Sequence, residues 1–337
     1  MAADGTLTNV ANVTDDATLA LNRPLGVTTA VIGGIPHLFV AGHDDSGVSV
    51  FSLDGNVPLL GDVLWQHSDG TVATAGHELP AVSANFQISG TGDFDGDGNA
   101  DILWRHRDGL VVTWEMENGH LLTTHNFGVV STNFQIVGTG DFDGDGDTDI
   151  LWRHDEGQTV IWEMEAGALV TNHNLPQAST SFQIRGTGDF DGDGDADILW
   201  RGNAGQVVVW EIEDGAFVTN HNLPQVSNSF QVAGTGDFDG DGDADILWRH
   251  AEGLTVIWEM QDGALVTNHN LGVVPTNFAI AGTEDFDSDG DSDILWRHTE
   301  GLTVTWEMED GALLQTHNFG VVSNGWQIRG TGEFDLL

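Results

Sequence analysis

Hydrophobic and polar residues alternate in short runs along most of this chain, and the runs recur in a fixed order. In the unit Phe134–Thr180 the order is FQIVGTGDF, DILWRH, TVIWEM and ALVTNHNL, with glycine-bearing turns between them. The runs are rich in β-branched and aromatic residues, and no 3.6-residue period competes, so four β-strands are predicted per unit. The unit repeats every 48 residues. Four strands at that period predict an all-β fold, a β-propeller of four-stranded blades.

Five complete units run from Phe86 to Gly325, and the two ends hold 97 further residues, about two more blades. The end GWQIRGTGEF repeats only a first strand, whereas GDVLWQH at Gly61–His67 repeats only a second. These halves are complementary, so the C-terminal strand is predicted to pair beside the partial unit and close the ring. Residues 61–85 with 326–337 would form this closing blade. Residues 1–60, with TTAVIGGIPHLFVAGHDDSGVSVFSLDG, read as an atypical blade. The expectation is therefore one domain, residues 1–337, of seven blades, with six as the alternative.

Tryptophan repeats with the unit. Trp104, Trp152, Trp200, Trp248 and Trp296 fall on second strands; Trp114, Trp162, Trp210, Trp258 and Trp306 fall on third strands. Large flat side chains at fixed positions suit packing between stacked blades. Stacking on sugars would require some of them to face outward.

Charge then enters at one place in each unit. The run DFDGDGDTD at 141–149 packs five aspartates into nine residues, a self-repelling loop unless a cation sits in it. Side-chain oxygens at positions 1, 3 and 5, glycine at 6 and a carbonyl at 7 are what a hard cation such as calcium takes. Position 12, a glutamate in an EF-hand, is Trp152 here, so the ninth residue is the expected closing ligand. The candidate ligands are Asp93, Asp95, Asp97, Asn99 and Asp101, then Asp141, Asp143, Asp145, Asp147 and Asp149. The next loops supply Asp189, Asp191, Asp193, Asp195 and Asp197, and Asp237, Asp239, Asp241, Asp243 and Asp245. The fifth has Asp285, Asp287, Asp289, Asp291 and Asp293, with Ser288 replacing a glycine at a non-ligand position. About five structural Ca2+ ions are implied. A composite sixth site from Glu333, Asp335 and Asp62 is conceivable, although its middle acids are missing.

These loops hold 24 of the 53 acidic residues of a chain with net charge −44. Such a surface repels phosphates and anionic membranes, which argues against nucleic-acid partners and membrane association. Twelve tryptophans and sixteen phenylalanines argue against disorder. There is no cysteine, no apolar run of about 18 residues and no visible signal peptide at the start. Calcium loops nonetheless favour a secreted or cell-surface setting, and a monomer is expected.

The repeat NFQIVGTGDFDGDGDTDILWRH resembles the FG-GAP/VCBS class of calcium-binding propeller repeats, found in integrin α-chain heads and many bacterial secreted proteins. The resemblance spans about Gly61 to Asp335. Thr28–Asp54 is similar, more weakly, to a blade of bacterial lactonase-like propellers. The family implies secretion and recognition, often adhesion or carbohydrate binding, with no single shared ligand.

Two further motifs repeat. His125–Asn126, His173–Asn174, His221–Asn222, His269–Asn270 and His317–Asn318 sit late in the fourth strand, the outermost in a propeller. They offer donors and acceptors suited to sugar hydroxyls, or they bond neighbouring turns and repeat only because the unit was duplicated. Arg105, Arg153, Arg201, Arg249 and Arg297 are expected to pair across strands with Glu115, Glu163, Glu211, Glu259 and Glu307. Five near-identical sites argue against an enzyme, because one asymmetric substrate needs one asymmetric pocket. The leading expectation is a multivalent recognition or adhesion module for glycans or extracellular proteins. The alternatives are a propeller enzyme on polysaccharide or lactone, using His37, His43, Asp44 and Asp45, and a spacer in a larger exported adhesin.

Overall fold

A computed structural model describes residues 24–32, 35–42, 48–52, 63–74 and 76–334. The predicted strands form where the alternation places them. Blade 1 consists of Phe86–Gly92, Asp101–His106, Leu110–Glu117 and His120–Val129, all antiparallel in that order. Blades 2 to 5 repeat it from Phe134, Phe182, Phe230 and Phe278. Third and fourth strands join through two-residue turns such as Ala166–Gly167, whose φ values of 47° and 73° define the mirror-image turn that suits strand twist.

Burial peaks at the second and third strands of a blade, between a half-buried first strand and an exposed fourth. In the second strand the DILW segment is buried on both faces, because a neighbouring blade covers each side. The fourth strand is exposed along nearly all its length, as in Ala168–Asn174. Six hydrophobic clusters hold the blades together, one at each seam. Phe94, Leu103 and Val111 of blade 1 pack on Ile150, Trp152 and Met164 of blade 2. Equivalent clusters follow around the ring to Leu295 against Val63, Trp65 and Trp326, and Leu64 and Phe334 against Ile102 and Trp104 close it. The second-strand tryptophans are thus core residues.

The ring closes as the complementary ends predict. Trp326–Thr331 is the inner strand of a blade completed by Val63–His67, Val72–Thr74 and His77–Glu78. Its closure is chemical as well as steric. The Thr139 hydroxyl donates to the Thr91 carbonyl at 2.9 Å, and Thr187, Thr235, Thr283 and Thr331 each donate to the preceding member. Thr91 donates to Thr331 at 2.8 Å, completing a circle of six bonds around the axis.

The propeller therefore has six blades, not seven. The strands Pro24–Ile32, Ile35–Gly42 and Val48–Ser52 pair with one another in a separate three-stranded sheet and with no strand of the ring. Length and the strand-like pattern of residues 28–55 suggested a seventh blade, but of the two ends only residues within 63–82 and 326–334, among those described, enter the closing seams.

Trp326 is 5 % exposed and holds the closing strand in the last seam. Trp326→Ala is expected to lower unfolding free energy by about 3–5 kcal/mol, the usual cost of deleting a buried aromatic. Calorimetry of variant and parent checks this; an unchanged melting temperature would mean the strand does not close the ring.

Candidate metal centres

Each acidic loop joins the first strand to the second at one end of its blade, and loop 141–149 shows the design. Asp141 is wrapped by its own loop: Oδ1 accepts from the N–H groups of Gly144 (2.8 Å) and Asp145 (3.2 Å), and Oδ2 from Gly146 (2.9 Å). Gly144 and Gly146 have φ of 69° and 98°, which lets the chain turn that tightly. Asp145 Oδ1 accepts from Asp147 N–H at 2.8 Å. Asp149, fully buried, accepts from Phe142 N–H through Oδ2 and Met164 N–H through Oδ1, tying the loop to the third strand.

Position 3 is different. The Oδ1 atoms of Asp95, Asp143, Asp191 and Asp239 are buried with no hydrogen-bond partner. A buried, unpaired carboxylate oxygen is costly. It lies beside other acids: the ligand oxygens of Asp141, Asp143 and Asp149 fall within 4.8 Å of one another, as do those of Asp93, Asp95 and Asp101, Asp189, Asp191 and Asp197, and Asp237, Asp239 and Asp245. Burial, then repulsion from neighbouring acids, pushes Asp95, Asp143, Asp191 and Asp239 up to about 6. Burial pushes Asp101, Asp149, Asp197 and Asp245 up to about 8 and Asp293 to about 7, against the opposing pull of two backbone N–H bonds. An all-oxygen donor set with an orphaned inward oxygen fits a hard divalent cation such as Ca2+. When bound, the ion would neutralise carboxylates that otherwise repel.

The loops also join blade to blade. Thr148 N–H donates to the Asp93 carbonyl at 2.5 Å, and Gly167 N–H to the Phe94 carbonyl at 2.9 Å. Ala196 and Gly215 repeat the pattern on Asp141 and Phe142. The side chain at position 7 serves the same junction: Asp147 Oδ2 accepts from Ala166 N–H at 2.6 Å, while Oδ1 lies over Gly96 of the preceding loop.

The histidines pair with the glutamates. His125 Nε2 lies 2.8 Å from Glu115, His173 2.5 Å from Glu163, His221 2.7 Å from Glu211 and His269 2.6 Å from Glu259, and His317 contacts Glu307. Each of the first four rings also packs on a turn glycine of the next blade, as His125 does on Gly167. Asp191 joins Glu211 and His221 in one cluster. The asparagines are exposed on the rim. Asn126, Asn270 and Asn318 accept from the N–H of Gly128, Gly272 and Gly320, and Asn174 accepts from Gln158.

The arginines do not pair with these glutamates, which corrects the cross-strand expectation. Trp162 pairs with Ile150, so Glu163 lies beyond the far end of the strand from Arg153. Arg153 donates instead to the carbonyls of Gly157 (2.5 Å) and Ala178 (2.9 Å) and covers the Trp200 ring at 4.8 Å. The motif spacing was visible in the sequence, but the register that separates its members was not.

For the composite sixth site, Glu333 is described, and its carbonyl accepts from Ala100 N–H; Asp335 and Asp62 lie outside the described residues, as do His43, Asp44 and Asp45. His37 falls in the strand Ile35–Gly42 of the separate sheet.

Comparison with known proteins follows the repeat. The model of the FG-GAP-like repeat matches residues 93–152, 141–200 and 189–248. No curated protein matches. Among solved structures, the dihydro-heme d1 dehydrogenase NirN is 14 % identical with TM-score 0.44, over 78 % of this chain and 54 % of its own. The chain thus spans about half the length of that protein. BamB from Moraxella catarrhalis is 14 % identical, TM-score 0.39, covering 79 % of this chain and 88 % of its own. The computationally designed Ika8 protein is 16 % identical, TM-score 0.43, over 90 % and 86 %.

Ser288 holds φ of 61°, a left-handed conformation that glycine takes at the same place in the other loops. Ser288→Gly is expected to stabilise by about 1 kcal/mol, the usual penalty of that conformation for a non-glycine residue. Thermal melts read the gain; equal or lower stability would show that the fifth loop is not strained there.

Proposed function

The chain is a β-propeller built of FG-GAP-like repeats, and from that premise we propose a calcium-stabilised, secreted or cell-surface recognition module. The observation that carries the reading is the inward position-3 carboxylate oxygen, buried and unpaired in four successive loops. Ca2+ would serve structurally, since each loop is bonded to its neighbour and a filled loop would brace the next seam. Extracellular fluid supplies the ion freely.

Recognition would fall to the rim. Its fourth strands expose Leu122, Val129, Val266, Val273, Leu314 and Val321 beside the repeated asparagines, with Val129 73 % and Val273 70 % exposed. Apolar and amide groups repeated on a rigid ring suit weak, multivalent contacts with glycans or extracellular proteins, raising avidity without strengthening any one contact. The fivefold likeness of the rim favours binding over catalysis.

Removing calcium tests the first half. Titration should find about five sites, and chelator should lower the melting temperature. One site at a hundredfold excess over Kd contributes about 2.7 kcal/mol. Identical melts with and without chelator would refute a structural ion. A glycan array in calcium, with and without Val129→Ser and Val273→Ser, tests the second half. Binding indifferent to both substitutions would remove the rim as the recognition surface.

A further inference from the structure

Five of the six seams share one lock. The second-strand arginine donates to its own turn and to the linker entering the next blade, as Arg105 does to Gly109 (2.6 Å) and Val130 (2.9 Å). Its guanidinium then covers the next blade's buried tryptophan, at 4.8 to 5.2 Å in every case. The linker also donates back to the turn, from Val130 N–H to Gly109 through to Val322 N–H to Gly301.

The seam between the closing blade and blade 1 has none of these parts among the described residues. Gln66 stands in the arginine's place, no cation covers Trp104, and no backbone bond joins Val82 to Gly70. A methyl group on Gly70 would lie 4.0 Å from the Val82 carbonyl oxygen, against 2.2 to 2.4 Å at the five equivalent glycines. The linker has moved off the turn, and the seam is open there.

What lines the opening differs too. A cavity of about 470 Å3 is bounded by Gln66, Asp69, Phe86, Gln87 and Arg329, within the roughly 300–1,000 Å3 usual for small-molecule sites. Cavities of about 550 and 560 Å3 lie also at two seams that keep the lock, where Ala233 and Ala281 take the place of Arg329, and Arg185 takes that place in blade 3. Arg329 Nε donates to Gln66 Oε1 at 2.9 Å and Nη2 to Gln327 Oε1 at 2.7 Å, so the guanidinium is fixed with its Nη1 group unspent among the described residues. Asp69 accepts from Thr71 N–H at 3.0 Å and pairs with His67 at 2.8 Å.

We infer that this seam is a single binding cleft for one neutral saccharide unit. The cleft presents a fixed guanidinium, two side-chain amides and a carboxylate around an aromatic wall. Together they serve groups that both donate and accept, which hydroxyls do. The net charge of −44 opposes an anionic ligand, and Arg329 opposes a cation. The pairing of Gln66 with Arg329 occurs once among the described residues, and the cleft is separate from the repeated rim. It rests on the recognition reading only in preferring a saccharide to other neutral polyols.

The test is ligand-observed NMR of the full calcium-loaded chain with methyl glucoside, methyl mannoside, methyl galactoside and methyl glucuronide. At least one neutral methyl hexoside should bind, and Arg329→Ala should weaken it tenfold or more. Gln66→Arg should restore the lock, raise the melting temperature by a few degrees and abolish binding. Three results would overturn the inference: no neutral hexoside binds, binding survives both substitutions, or the glucuronide binds better than the neutral sugars. The loss caused by Arg329→Ala should be the same in a chain that also carries the rim substitutions Val129→Ser and Val273→Ser. Failure of the cleft and failure of the rim are therefore read separately.

Discussion

Everything in this fold converges on a carboxylate that has no water to rest in. Asp149 and its counterparts sit at the first residue of the second strand, buried, with one oxygen bonded into the acidic loop and the other into the third strand. Three parts of each of blades 1 to 5 are referenced to that group, while desolvation and neighbouring acids oppose its charge. A cation joining the clustered loop aspartates would relieve this tension. Acidity in this protein is thus concentrated where it can be neutralised, and the blade's stiffness and its charge share one origin.

Around that anchor, five of the six seams are sealed at three depths among the described residues. Threonine hydroxyls link the innermost strands, tryptophan and aliphatic side chains fill the middle, and loop backbone groups bond across one end. Arginine seals the other end by holding the linker between blades and lying on the next tryptophan. The use of arginine is apt: a planar fork can bridge several carbonyls while its face stacks on indole. Where glutamine replaces it, only that end of the seam is altered; the threonine bond and the apolar cluster remain.

Strands, period, acidic loops and ring closure could be read directly from the sequence, because each depends on local alternation or on a repeat that five copies reinforce. The blade number could not, since residues 24–52 carry strand-like patterns that serve equally well in a separate sheet. The partner of Glu163 was hidden by register: the helpful pair was His173 on the adjacent strand, and Arg153 lay too far along. The threonine circle has a signal in the sequence. Gly–Thr recurs in every first strand, at Thr91, Thr139, Thr187, Thr235, Thr283 and Thr331, in a position that local patterning gives no reason to keep polar. The altered seam was likewise written as Gln66 in place of arginine, but its meaning needed the spacing of the linker.

The six threonine bonds all run the same way, each hydroxyl donating to the blade before it, so the circle has a sense of rotation but no first member. Residues 63–78 and 326–331 meet inside one blade, and nothing in the circle itself marks that blade as the place for the junction. Evolution could therefore reposition the break at another junction, as a circular permutation, without disturbing the axis. Inserting a further copy of the 48-residue unit is a different matter. A seventh member would change the angle at every link simultaneously, so growth by duplication must remake the whole circle or stop at six.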